Sequence, residues 1–132
     1  MDSQTDDHFN DIIRQAPTIF SEVDYVLDST PERAILRIQA AYGGVYRIFI
    51  TELIDTQIRK YRYYVLKKSW ISIGFDNSPD PRALRLKYGK IGTEHAGEYI
   101  PHLHKDNKTH LELTEEMDVY KFIAWIREHL AQ

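Results

Sequence analysis

Apolar residues change period along the chain, and the changes divide it into elements. Residues 5–15 carry the helical pattern: Phe9, Ile12, Ile13 and Ala16 recur on one face, with Asp6 and Asp7 in the first turn, where the helix dipole favours acids. Pro17 lacks an amide hydrogen and disfavours helical geometry at the residue before it, so the helix is predicted to end at Ala16. Residues 23–27 fit both periods and are read as a short strand, closed by a turn at Asp28-Ser29-Thr30-Pro31. From residue 34 the period is two. Leu36, Ile38, Ala40 and Tyr42 alternate with Ile35, Arg37, Gln39 and Ala41, and Gly43-Gly44 marks a hairpin. Strands over 46–54, 58–67 and 70–76 follow, joined by loops too short for anything but antiparallel neighbours.

Residues 78–100 break the pattern with Pro79, Pro81, Gly89, Gly92 and Gly97, and read as a long connection carrying Arg82, Arg85, Lys87 and Lys90. The chain then closes with a helix. Thr114 is its expected N-cap, Glu115, Glu116 and Asp118 fill the first turn, and Val119, Phe122, Ile123, Ile126 and Leu130 form one apolar stripe. These elements imply an α+β fold: an antiparallel β-meander of four to five strands packed against N- and C-terminal helices. At 132 residues it is expected to be a single domain over 1–132.

Composition adds exclusions. With no cysteine there is neither a disulfide framework nor a thiolate metal site. The N-terminus is acidic and has no apolar run, unlike a secretory signal, and no stretch approaches the roughly 20 apolar residues that span a bilayer. A soluble, cytoplasmic protein with no membrane partner is expected. The net charge of −3 hides an asymmetry: −7 over residues 1–32, +7 over 33–110 and −3 over 111–132. A basic middle between acidic ends fits either a polyanion-binding surface or two acidic helices covering a basic sheet.

Loop lengths suggest which polar residues meet. A three-residue loop at 55–57 sets Glu52 opposite Lys60 and Ile50 opposite Arg62, and a two-residue turn at 68–69 sets Arg62 opposite Phe75 and Lys60 opposite Asn77. Glu52, Lys60 and Asn77 would then form a row across three strands. The following loop delivers His102 and His104, spaced to share a face if extended. Such a site suits phosphodiester chemistry. Lys60 or Arg62 would hold a phosphate, Glu52 or Asp76 would orient a group, and His102 or His104 would act as general acid or base. No cofactor is required for this. A divalent metal at His102 and His104 with Asp76 or Glu52, His110 adding a further imidazole, is the alternative. The run Arg59-Lys60-Tyr61-Arg62-Tyr63-Tyr64 reads either as a nucleic-acid surface, with Tyr61 stacking bases beside Asn77 and Lys105, or as ordinary strand tyrosines. His8, His95 and His129 read as surface residues. No phosphate-binding glycine loop, nucleophile elbow or dinucleotide fingerprint is present.

Glu52 after an alternating strand, then Arg59-Lys60-Tyr61-Arg62-Tyr63, then Phe75-Asp76-Asn77-Ser78-Pro79, then Pro101-His102-Leu103-His104, in that order, resembles the TumE-like proteins. The resemblance covers about residues 34–105. Gly74 stands where that family's pattern has an arginine, and Asp80-Pro81-Arg82 where it has histidines. It implies the toxin half of a toxin–antitoxin pair, regarded as an endoribonuclease acting on RNA and neutralised by a small antitoxin protein. A homodimer is compatible with it. A non-catalytic module binding nucleic acid or protein is the competing expectation. The acidic first 32 residues are further expected to lie over the basic surface and weaken RNA binding.

Overall fold

The computed structural model describes residues 2–90 and 92–130. Asp2 opens the first helix, its side chain accepting the Thr5 amide at 2.8 Å, and α1 runs Ser3–Ile19 with Phe9, Ile12 and Ala16 buried. The helix passes through Pro17 instead of ending before it. Pro17 lies in the last turn, where the missing amide removes a single bond, and the Phe20 amide still reaches the Ala16 carbonyl at 2.9 Å. Phe20 is thereby delivered into the core.

Seven strands form one antiparallel sheet whose spatial order is the chain order. They are β1 (Ser21–Ser29), β2 (Arg33–Tyr42), β3 (Tyr46–Asp55), β4 (Arg59–Lys67), β5 (Trp70–Asp76), β6 (His102–Lys105) and β7 (His110–Leu113). The α+β class and the meander are as expected, but seven strands replace four to five. The two additions are four residues each, too short for an alternation to show. Gly43 and Gly44 both take positive φ in the β2–β3 turn, the geometry that hairpin needs.

Two further corrections concern helices. The connection over 78–100 contains α2 (Pro81–Tyr88), started by Asp80 accepting the Arg82 amide at 2.8 Å and stopped by Gly89 at φ 77°. Asp-Pro before and Gly after are start and stop signals, here framing only two turns. The last helix, α3 (Val119–His129), is capped by Asp118 and not by Thr114, whose hydroxyl donates to the Glu115 carbonyl.

The sheet has two unlike faces. On one, α1 and α3 bury Phe9, Ile12, Phe122 and Ile126 against Leu36, Ile38, Ile50, Tyr63 and Phe75 in the main core. On the other, α2 lies over the β7 end through a small cluster of Ala83, Leu84 and Ile100 with Tyr88 and Leu111. Of the acidic N-terminal segment, α1 therefore packs into the core on the first face, and β1 forms the sheet's exposed edge. The segment does not lie over Arg62, Arg82 or Arg85, which belong to the second. No helix among the described residues is long and apolar enough to cross a membrane.

Register decides which residues share a face, and it differs from the expectation by one residue at both hairpins. The Asp55 carboxylate accepts the Gln57 and Ile58 amides at 2.8 and 2.7 Å, and the Asp55 amide donates to the Ile58 carbonyl. This side-chain-stabilised turn holds Ile58 in the loop and pairs Ile54 with Arg59. Between β4 and β5 a bulge at Ser72 pairs Val65 with Ile73 and so Arg62 with Asp76. Each one-residue slip turns side chains to the opposite face.

Candidate functional site

The expected row of Glu52, Lys60 and Asn77 does not form. Glu52 stands opposite Tyr61 on the helix-covered face, whereas Lys60 stands opposite Leu53 on the other. Asn77 is buried just past β5, its Oδ1 accepting the Tyr61 amide and its Nδ2 donating to the Arg59 carbonyl, both at 2.9 Å. It extends the strand ladder one step and is committed to structure. Tyr61 is likewise unavailable to bases: its ring stacks on Tyr63 at 5.0 Å and its hydroxyl accepts the Met117 amide. Lys105 points with Ile73 and Leu103 to the helix-covered face, paired with Glu112 at 3.2 Å.

The polar residues therefore divide into two clusters with a sheet between them. The first lies under α1. Glu52 is wholly buried; one carboxylate oxygen sits 3.1 Å from His8 Nε2 and 3.5 Å from Arg59 Nε, and the other accepts no hydrogen bond among the described residues. Arg59 also reaches the Tyr63 hydroxyl at 2.6 Å and Glu116 at 3.5 Å, with its guanidinium over the Tyr61 ring. The hydrogen bond to Glu52 raises the His8 pKa, and burial beside the same carboxylate raises that of Tyr63. His8 is thus an anchor of α1 and not an ordinary surface residue. Sequence reasoning could not pair it with a residue 44 positions away.

The second cluster lies on the opposite face, where Arg62, Asp76 and His102 stand in one row across β4, β5 and β6. One row along, Tyr64, Gly74 and His104 stand level. Asp76, His102 and His104 are 3%, 1% and 3% exposed. One Asp76 oxygen accepts the Tyr64 hydroxyl at 3.1 Å and faces Arg62 Nε at 3.3 Å; the other accepts the Ser78 amide at 2.6 Å. Burial alone would raise the Asp76 pKa, but the hydrogen bond from the Ser78 amide and the Arg62 guanidinium outweigh it and hold the carboxyl below its usual range. His102 donates from Nδ1 to the Ile100 carbonyl at 2.7 Å, which leaves Nε2 for the cluster. The two imidazoles meet edge to face at 4.9 Å, and His104 Nδ1 and Ser78 Oγ are buried with no partner among the described residues. Burial, then the neighbouring His102, pulls the His104 pKa down to about 4.

Potential donor atoms of Asp76, His102 and His104 all lie within 4.8 Å of one another, so this group could hold a metal ion. The donor types suit one: two imidazoles and a carboxylate, with one imidazole oriented through a backbone carbonyl as metal-binding histidines usually are. Glu52 and His110 take no part in it. His110 is exposed on β7 and pairs with Glu112.

Several contributors were missed in the sequence. Tyr64 and Ser78 hold Asp76 in place, and Lys108 lies 5.2 Å above the Tyr64 ring from the β6–β7 turn. Arg37 and Thr51 continue the Arg62 row across β2 and β3, and with Lys60 they line an open groove of about 240 Å³. One signal was legible. A glycine inside a strand marks a close approach, and a Cβ on Gly74 would meet the Tyr64 ring at 2.6 Å.

Fold and site together define an α+β protein with an open seven-stranded antiparallel sheet and a buried Asp–His–His cluster on its less covered face. No protein-family model matches the chain, and comparisons with curated proteins and with solved structures likewise find no match. The TumE-like resemblance rests on its motif residues alone.

Proposed function

We propose that the protein acts on RNA as an endoribonuclease, the toxin of a toxin–antitoxin pair, working in the cytoplasm on the face that carries Arg62, Asp76, His102 and His104. The observation that supports this most is the row Arg37–Thr51–Arg62–Asp76–His102, which runs from exposed guanidiniums to a buried imidazole. Arg37, Lys60 and Arg62 would hold successive phosphates. RNA cleavage needs a proton taken from the ribose 2′-hydroxyl as it attacks phosphorus and a proton given to the departing 5′-oxygen. Two adjacent imidazoles can serve both, and Arg62 would neutralise the charge that builds on the phosphate. With its pKa near 4, His104 is neutral at pH 7 and is the candidate base. His102 and His104 are buried, so substrate needs an opening over them; α2, which packs on β7 and is held by far fewer apolar residues than the main core, is the candidate to move.

A second reading of the same site is a divalent metal held by Asp76, His102 and His104. It is favoured by the unpartnered, neutral His104 nitrogen and by the common reach of the three donors. The metal would supply Lewis acidity at the phosphate. Glu52, which lies on the other face, has no role in either version.

The test is cleavage of a labelled RNA by purified protein, with and without a chelator. His102→Asn and His104→Gln should each lower the rate by about 100-fold or more, while Glu52→Gln should stay within a few-fold of wild type. Loss of cleavage in the chelator, restored by zinc or manganese, selects the metal version. RNA retained but never cleaved by the wild-type protein would make this face a binding module.

A further inference from the structure

The two ends of the sheet are not alike. At one end β7 is four residues long and is covered by α2 through Leu111. At the other, β1 is nine residues long, pairs only with β2, and has its outer edge open. A bulge at its start, with Glu22 at φ 50°, is followed by an unbroken register from Asp24 opposite Gln39 to Ser29 opposite Ala34. Long open edges are templates for another strand, and proteins usually blunt them with proline or lysine. This strand has neither. Tyr25 and Val26 are instead 53% and 62% exposed.

The pattern along β1 narrows what could pair there. Val23, Tyr25 and Leu27 point to the helix-covered face, whereas Asp24, Val26 and Asp28 point to the other. A second copy of the chain fits badly in the registers that pair most of β1. Identical strands pairing antiparallel about Val26 would set Asp24 against Asp28 of the second copy. Pairing about Tyr25 would bring Glu22 level with Asp28. Like charges directly opposite are destabilising, and the strand has no cation to offset them. The complement is an extended segment with cations four residues apart on one side and apolar residues between them on the other.

We propose that the β1 edge is a docking site for a basic, alternating strand of a partner protein, which adds to the sheet as an eighth strand. Main-chain hydrogen bonds would supply most of the affinity, and Asp24 and Asp28 the choice of partner. The apolar side of the incoming strand would cover Tyr25 and Leu27, extending the main core past its present rim. The acids guard the edge until it is filled, since they disfavour pairing between copies. The site lies at the far end of the sheet from His102, with Arg37 of the proposed phosphate row beside it, opposite Val26.

The experiment uses the full chain and a blocked peptide, Lys-Val-Thr-Val-Lys-Val-Thr-Val-Lys, with a control of the same composition whose alternation is broken. Amide exchange is followed residue by residue. The alternating peptide should slow exchange within residues 24–29, and the scrambled one should not. Asp24→Lys with Asp28→Lys should weaken binding about tenfold or more through two opposed charge pairs, and a glutamate-for-lysine peptide should bind that variant in its place. Both side chains are exposed, so the variant is expected to fold, and its unchanged core exchange would verify that. Equal binding of the scrambled peptide, protection elsewhere than β1, or no response to the charge reversal would each overturn the proposal. So would sedimentation showing that the free protein already dimerises through this edge.

Discussion

The two faces of the sheet each hold a buried carboxylate beside histidine, and the neighbours make the two clusters opposite in character. Under α1, Glu52 meets a half-buried His8 and the Arg59 guanidinium, and the His8 pKa rises. On the other face Asp76 is already satisfied by Ser78, Tyr64 and Arg62, so His104 is left buried with no partner for its Nδ1 among the described residues, and its pKa falls. A carboxylate that hydrogen-bonds directly to an imidazole holds a proton on it. One that is fully engaged leaves a neighbouring imidazole to the cost of burial. The first arrangement pins a helix to a sheet; the second keeps a neutral nitrogen in reserve, as a base or a metal ligand must be.

The largest difference between the two faces is expected in their response to pH. His104 has a folded pKa near 4 and an unfolded value near 6.5. Between those values the unfolded chain binds a proton that the folded one refuses, so its contribution is complete above about pH 6.5 and is lost as pH falls towards 4. The loss is at most about 3 kcal/mol. Asp76, whose pKa is lowered, adds to it only below its ordinary value near 4. Urea unfolding at pH 7.5 and 4.5 should show this drop in the wild type and a smaller one in His104→Gln. An equal drop in both would mean that His104 is not held neutral by the fold.

A steric test comes next. Gly74→Ala would push a methyl into the Tyr64 ring, which it would meet at 2.6 Å, and should cost about 1–3 kcal/mol. Tyr64 would leave Asp76, and the Asp76–His102–His104 side alone should loosen. Slower loss of amide protection around Phe9 and Ile12 than around His104 would separate the faces, whereas uniform loss would show them to be one cooperative unit. The smallest effect belongs to His8. Its pKa is raised, so its contribution is complete below about pH 6.5 and disappears as pH rises through the folded value, by under about 1 kcal/mol for a partly exposed group. Proton magnetic resonance should report a His8 pKa above 6.5 that returns towards the ordinary value in Glu52→Gln. No change there would remove the carboxylate as the cause.

How much of this could be read beforehand depends on how local the cause is. The alternation over 34–76 is a property of neighbouring residues and yielded four strands within a residue or two of their bounds. His102 and His104 were expected to share a face, because residues two apart on a strand must do so, and the structure brings Asp76 to them. Glu52, Lys60 and Asn77 were placed with them through register, which no single strand contains. Register followed from the Asp55 carboxylate gripping its own turn and from a bulge at Ser72, each shifting the pairing by one residue.

The α+β class, the meander and the imidazole pair follow from periodicity and short loops acting over a few residues. That Glu52 and Asp76 face away from each other, that Pro17 sits inside a helix, and that His8 is an anchor are consequences of long-range packing. Each depends on free energy gained across the fold. The core's demand for Phe20 outweighs one missing helical bond, and a buried carboxylate draws in whichever cation the folded chain brings near.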